Sequence, residues 1–450
     1  MDDNTVDRIS GRLSALAREH AVEGYEAYIS ETKKVSISLD DSRRIEKLHA
    51  DVEHAVAVRV LKGQRLGFSF SFTPSDIAIE ETFKRALDSA SILERHVFSF
   101  IGSSPDAIAP DLFYDSSVES IPNRRKLDLV SVLIDAVHID KRIVKVEKPS
   151  YEEAVSSLCV MNSSGVSKRS RASRFGLSLS VLARQDGESN ITGDFQGANA
   201  FDALDAQRLG KDCAELALKT IGGSRLPTAF YDTVFTQFVA SQFLGVVALS
   251  FAADSVYKKT SMLADKLGQQ VLPEHINIAD EPHLKDGLGS VPFDSEGAPA
   301  VRKSLVDRGV VSTFLYDTYY ATIMGAHTTG NSVRHTVTQP PSIGVTNIVL
   351  GSDRPGEDDV RRALYDGPVI TELMGVHTVN PVTGEFSLGA RGYTVKSGSF
   401  HAPLKDITVA GNLFDLLMKI QLAGRDQLLY GNIMAPSLLI AQLKIAGAGA

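Results

Sequence analysis

From Tyr25 to Thr73 polar and apolar residues alternate with a period of two, which confines this stretch to antiparallel sheet with one face buried. Val35-Ser36-Ile37-Ser38-Leu39 and Val56-Ala57-Val58-Arg59-Val60 carry the pattern. Lys62-Gly63-Gln64 then turns the chain into Leu66-Gly67-Phe68-Ser69-Phe70. Helical spacing flanks this region. Val6, Ile9, Leu13 and Leu16 predict an opening amphipathic helix over 3–20, with Asn4 or Thr5 as cap. A second helix, capped by Ser75 or Asp76, is expected to run to about Arg95. A third is expected over 124–138, followed by strands over 142–148, 154–162 and 175–184 and a helix over 203–221.

A chain of 450 residues exceeds what one hydrophobic core serves. Gly222-Gly223-Ser224-Arg225-Leu226-Pro227 reads as the linker, giving domains 1–225 and 226–450. The second domain opens with a strand over 229–235 and an apolar helix over 238–252. Beyond it, glycine, proline and β-branched residues predict short strands, with turns over 291–297, 380–384 and 396–398 and a last helix over 412–423. The expected class is α+β. An N-terminal helix–antiparallel sheet–helix domain precedes a mostly β C-terminal domain with one buried apolar helix.

A formal net charge of −8 argues against a nucleic-acid partner. The densest basic stretch, Lys168-Arg169-Ser170-Arg171 with Arg174, reads as a solvated strand end. No apolar run approaches the roughly 18 residues of a membrane span, and the N-terminus lacks a signal-peptide pattern. The two cysteines, Cys159 and Cys213, form no C-x-x-C pair, so a reducing cytoplasm is expected.

Local catalytic motifs are missing. None of the eleven histidines pairs with a Glu at a metalloprotease spacing. His49 and His54, five apart in a strand, fall on opposite faces; His275/His283 and His327/His335 sit in loops. There is no G-x-S-x-G elbow and no phosphate loop. Asp294 and Glu296 are a carboxylate pair with acid–base potential, but in a PFDSEG turn they are better placed to bond backbone N–H groups.

The second half carries more specific strings. Ser255-Val256-Tyr257-Lys258-Lys259-Thr260-Ser261 precedes Leu267-Gly268-Gln269-Gln270-Val271-Leu272-Pro273 and Pro292-Phe293-Asp294-Ser295-Glu296-Gly297. Thr329-Gly330-Asn331, Thr371-Glu372-Leu373-Met374-Gly375, Thr383-Gly384-Glu385-Phe386-Ser387 and Ile407-Thr408-Val409-Ala410-Gly411-Asn412-Leu413 follow. In this order they resemble the PmbA (TldE) branch of the TldD/PmbA family, once named modulators of DNA gyrase.

That resemblance implies a TldD–TldE heterodimer that degrades or trims unfolded peptides. In the TldD branch the first helix of the C-terminal domain holds an H-E-x-x-x-H motif, and a Cys near the C-terminus completes a zinc site. The matching helix here, Val239 to Ser250, contains no His and no Glu, and the matching tail reads Leu429-Tyr430-Gly431-Asn432-Ile433-Met434. The resemblance therefore implies a metal-free, non-catalytic subunit without catalytic or metal-ligating residues of its own, the zinc residing in a TldD-like partner. Pro292, Phe293, Asp294, Glu296, Gly297, Gly330 and Asn331 are the candidate peptide- or partner-binding residues. A non-catalytic homodimeric peptide-binding or scaffold protein acting without TldD is the alternative. A lone hydrolase with an unrecognised Ser or Asp/Glu site is the third reading.

Overall fold

The computed structural model describes residues 3–354, 356 and 360–447. Its N-terminal half contains α1 (Asp3–Glu19), β1 (Gly24–Leu39), β2 (Ile45–Lys62), β3 (Arg65–Ser71) and α2 (Asp76–Ile92). Then come α3 (Asn123–Val137), β4 (Ile143–Asn162), β5 (Ser167–Gln185), β6 (Glu188–Ala198) and α4 (Ala206–Thr220). The strands form one antiparallel sheet in the order β3-β2-β1-β4-β5-β6.

All four helices cover one face of that sheet. Alternation decides which, because Ala27, Ile29, Ile37 and Leu39 share a parity on β1 and are all buried. Ile9, Leu13, Ile79 and Phe83 of α1 and α2 pack on Ala27, Ile29 and Val58. Val130, Leu133 and Ile134 of α3, with Leu209 and Ala214 of α4, pack on Ile37, Tyr151 and Leu177. Ser75 caps α2 by accepting from Ala78 N–H, as its sequence position predicts.

The mixed α+β class is as expected, and several elements differ in extent. The two strands expected over 142–162 are one, β4, kinked by a bulge near Lys148, whose φ is +51°. β6 was not anticipated, since Thr192, Gly193, Asp194, Gln196 and Gly197 hide its alternation. The basic cluster opens β5 and is solvated only in part: Arg169 and Arg171 face solvent, the others do not. Lys168 is buried against Asp106, and Arg174 Nε donates to Leu288 O of the other half at 2.8 Å.

The C-terminal half begins with β7 (Ala229–Phe235), α5 (Gln237–Leu249) and α6 (Ala253–Tyr257). β8 (Ile276–Asp280), β9 (Lys303–Asp307), β10 (Val310–Val311), α7 (Thr318–Met324), β11 (Ser332–Val333), β12 (Ser342–Ile343) and β13 (Ile348–Ser352) follow. The remainder is α8 (Val360–Leu364), β14 (Gly367–Met374), β15 (Glu385–Lys396), β16 (Ser399–Asn412), α9 (Leu413–Met418) and β17 (Ile420–Ala423), then β18 (Leu428–Tyr430), β19 (Ile433–Ala435) and β20 (Leu438–Ala446). One sheet runs β10-β9-β8-β13-β19-β18. In the other, β16-β15-β14-β7-β20-β17, an added β16–β20 pairing closes five strands into a barrel. The apolar helix ends at Leu249, three residues early, and the last expected helix is a short one followed by β17. α5 lies buried between the sheets, with Phe243 and Leu244 in the core of this half. Among the described residues no helix is long and apolar enough to cross a membrane.

Gly67 sets how closely α2 approaches the sheet: a Cβ there would lie 1.9 Å from Ala86 O. A Gly67→Ala substitution must push α2 outward. It is expected to cost about 1–3 kcal/mol, the range for overpacking a filled core, read as a lowered urea midpoint of the N-terminal transition.

Candidate functional site

The sheet face opposite the helices receives the C-terminal half. Glu26 and Arg59 stand opposite each other there on β1 and β2. Arg59 donates through Nε to Glu26 Oε1 at 3.0 Å and through Nη2 to Glu26 Oε2 at 2.5 Å. The same Nη2 reaches Glu296 Oε1 of the C-terminal half at 2.7 Å. Glu296 Oε2 accepts from Thr318 N at 2.9 Å and Thr318 Oγ1 at 2.7 Å. Arg334 lies 3.4 Å from Glu26 Oε1 and stacks over the Tyr28 ring.

This cluster is buried, so each charge depends on its neighbours. Burial raises the Glu26 carboxyl above its usual range, and Arg59 only partly offsets this. Burial opposes ionisation of Glu296 too, but Arg59 and the two Thr318 donors win and hold its pKa low. Asp294 is pushed up by burial and then by the Glu296 charge. Burial depresses Arg334 to about 10 against the pull of Glu26.

Every candidate residue from the sequence lies in or beside this contact and is buried. Asp294 Oδ1 accepts from the N–H groups of Glu296 and Ala298, both at 2.9 Å, and Oδ2 from Ser332 N at 3.0 Å. These are the turn bonds that the PFDSEG string suggested. Phe293, beside buried Pro292, packs with Val160 and Val166 of the N-terminal half. Gly297 has φ +83°, and a Cβ there would sit 2.5 Å from Val166 Cγ1. Gly330 approaches Pro299 O, and Asn331 Nδ2 donates to Asp280 Oδ2 at 2.8 Å. Phe293, Glu296 and Gly297 thus meet the N-terminal half, Asp294 holds their turn, Gly330 and Asn331 brace it from within the C-terminal half, and all seven residues are buried.

A second feature was not foreseen. A cavity of about 910 Å³ opens between the halves, walled by β5, β6 and α4 on one side and by α5, β14 and β18 on the other. Tyr430 stands edge-on to Phe195 and Phe238, with centroids 5.8 and 5.2 Å away. Burial lifts Asp194 to about 6, with the charge of Asp212 adding and Arg208 opposing. Asp212 and Glu372, also in the wall, are raised chiefly by burial. Thr236 Oγ1 and Gln242 Oε1, at the start and on the second turn of α5, are buried and make no hydrogen bond. Both side chains line the cavity, but the two oxygens have almost no accessible surface, so a donor from outside the chain meets them only once the side chains turn.

Residues 228–447 match the PmbA/TldA metallopeptidase C-terminal domain, 116–221 its central domain and 25–90 its first domain. The chain belongs to the PmbA/TldD family. Metalloprotease PmbA of Escherichia coli O157:H7 is 29% identical over 438 residues, spanning 94% of this chain and 92% of that one. A Thermotoga maritima crystal structure, described as a candidate modulator of a DNA gyrase, superposes with TM-score 0.89 at 28% identity over 98% of this chain and 100% of that chain. TldE from Thermococcus kodakarensis shares the fold, with TM-score 0.86 at 19% identity over 97% and 100% of the two chains.

The family's zinc ligands have no counterparts that fit. α5 reads QFVASQFLGVVAL, and its polar side chains, Gln237, Ser241 and Gln242, are poor zinc ligands. The tail that would bring a thiolate does reach α5, where Tyr430 meets Phe238 and Ile433 packs at Gly245, but it carries no Cys. Among the described residues no three His, Cys, Asp or Glu side chains cluster to hold a metal ion.

Glu26 and Arg59 were missed in the sequence, although two signals there could have found them. Arg59 interrupts the apolar run 56–60, and Glu26 sits between Tyr25 and Ala27 in a strand; a charge in such a place needs a partner. Replacing Arg59 by Leu strands two buried carboxylates. The expected loss is about 3–5 kcal/mol, as for one partner removed from a buried ion pair, and limited proteolysis should then separate the halves sooner than in the unmodified chain.

Proposed function

We propose that this chain is the non-catalytic, metal-free subunit of a two-chain metallopeptidase, pairing with a TldD-like chain that supplies the zinc, and that its interdomain cavity holds unfolded peptide. The observation that carries the reading is α5. It occupies the place of the family's zinc helix and lines a roomy cavity with Thr236, Gln237, Phe238 and Gln242, without presenting a metal ligand. Such a wall can bind and position but cannot activate water. Turned toward the cavity, the Thr236 and Gln242 side chains accept from backbone N–H groups of an extended peptide, and the Phe195–Tyr430–Phe238 edge packs against its side chains. The wall balances Asp194, Asp212, Glu215 and Glu372 against Lys148, Arg208, Lys219 and Arg361, and a basic side chain of the peptide is placed beside Asp194 and Asp212. The family membership and the TldE fold likeness support the pairing with a TldD-like chain.

The test is metal content and hydrolysis of an unstructured peptide by this chain, by the TldD-like chain and by their mixture. Metal and cleavage confined to samples containing the TldD-like chain, with cleavage increased by this one, are expected. Stoichiometric zinc or chelator-sensitive cleavage by this chain alone would sink the reading. For binding, Gln242→Leu should weaken a fluorescent Lys-containing peptide several-fold without lowering the melting temperature. The pH dependence follows from Asp194. Its carboxylate is charged above about pH 6 and neutral below, so affinity for the basic peptide should drop about tenfold from pH 7.5 to pH 5. Asp194→Asn should flatten that profile.

A further inference from the structure

β6 is the outermost strand of the N-terminal sheet on the cavity side, and among the described residues no strand pairs with its outer edge. Its register with β5 is unbroken from Glu188 to Ala198, so every second residue turns its N–H and C=O away from β5. One bond identifies this set. Phe195 N–H donates to the side chain of its own neighbour, Asp194 Oδ1, at 2.8 Å, so it is not spent on β5. The outward set is therefore Ser189, Ile191, Gly193 and Phe195, and all four are exposed. Gly193 has no side chain, so its exposure is that of the main chain itself. Asn199, next in the same series, reaches Asp286 Oδ1 of the C-terminal half through its N–H at 3.4 Å.

Both ends of this edge are covered. Lys405 pairs with Glu188 and Arg391 with Asn190 at one end, and Tyr430 leans on Phe195 at the other. Between them Thr192, Gly193, Asp194 and Phe195 line the cavity. Alternation then decides what a strand added here meets. Asp194 lies opposite Leu179, which packs in the core under α3 and α4, so an added side chain facing Asp194 falls on the α4 side, beside Asp212 as well. Arg208 acts on both carboxyls and can balance only one. Side chains facing Gly193 and Phe195 fall on the opposite side, where the Phe195, Tyr430 and Phe238 rings meet. The missing side chain of Gly193 leaves room there for a large apolar one.

We propose that the cavity selects peptides containing an apolar–basic–apolar run, bound as an added strand along the outer edge of β6 with the basic residue opposite Asp194. The inference rests on the reading of the cavity as a peptide site and names the sequence that the site prefers.

The test uses the full chain and fluorescent peptides with Gly-Ser flanks. A Leu-Lys-Leu-Lys-Leu core should bind about threefold or more tightly than Lys-Lys-Leu-Leu-Leu, which has the same composition. N-methylation of the core amides one at a time should weaken binding about fivefold at alternate residues and hardly at those between, because only every second N–H faces β6. Gly193→Pro deletes one outward N–H at a strand edge, where proline is tolerated, and should weaken the alternating peptide about fivefold. Gly193→Ala adds a similar Cβ, 3.2 Å from Ser180 Oγ, but keeps the N–H, and should bind like the unmodified chain. Melting curves check that both variants are folded, and the N-methyl series needs no variant. Peptides that bind without preference for the alternating order, or with no period of two in the N-methyl series, overturn this inference and leave the peptide reading of the cavity standing. Failure of both peptides to bind overturns the two together.

Discussion

The guanidinium of Arg59, held between a carboxylate of its own sheet and one from the other half of the chain, determines how the two halves meet. Glu26 takes Nε and Nη2 in a two-pronged grip, which orients the guanidinium plane, and Glu296 takes what remains of Nη2. Desolvating these groups offsets most of their attraction, so the cluster adds little net stability. Its effect is geometric. Each carboxylate oxygen of Glu26 and Glu296 has an assigned donor, and a small shift of one half would leave a charge buried without one. Two acids face Arg59 and Arg334, so the charges balance, while Asp294 is held by three backbone N–H groups beside them. An apolar contact of equal area would hold the halves together but would leave their angle free.

That fixed angle is what gives the cavity its shape. From the Arg59 cluster the joint continues through Arg174 Nε to Leu288 O and Asn199 Nδ2 to Gly287 O, at 2.8 and 3.2 Å. Beyond the cavity, Arg391 donates to Asn190 Oδ1 at 2.6 Å and Lys405 to Glu188 Oε1 at 2.7 Å. The walls are thus tied on more than one side, and the space between them persists as a cleft instead of closing on its own apolar rims. Burial inside this cleft, not any single neighbour, is what raises Asp194 and Glu372. A peptide entering it would meet carboxyls and acceptors that are already desolvated, and ordering them would add little to the cost of binding.

What the sequence made legible follows from which forces are local. The period-two run from Tyr25 and the helical spacing at Val6, Ile9, Leu13 and Leu16 declare themselves because side chains on one face repeat. Ser75 declares the start of α2 because a cap is a bond between near neighbours. β6 stayed hidden because one of its faces lines a polar cavity, so Asp194 and Gln196 stand where an ordinary strand would be apolar or purely solvated. The role of Glu296 was half visible. The turn bonds of Asp294 are local and could be anticipated, whereas the ion pair with Arg59 joins residues 237 positions apart. That α5 carries no His, Cys, Asp or Glu is a fact of the sequence, but the polar cavity that α5 faces was not legible there, because its opposite wall comes from α4, β5 and β6.

The order of the N-terminal sheet separates its possible uses. β6, which walls the cavity, and β2, whose outer edge is free at Ile45 to Ala55, are separated by β1, β4 and β5. At about 4.8 Å between neighbouring strands they are roughly 19 Å apart across the sheet. The Arg59 joint lies between them, on the face away from the helices, with Arg59 on β2 itself a few residues beyond the free segment.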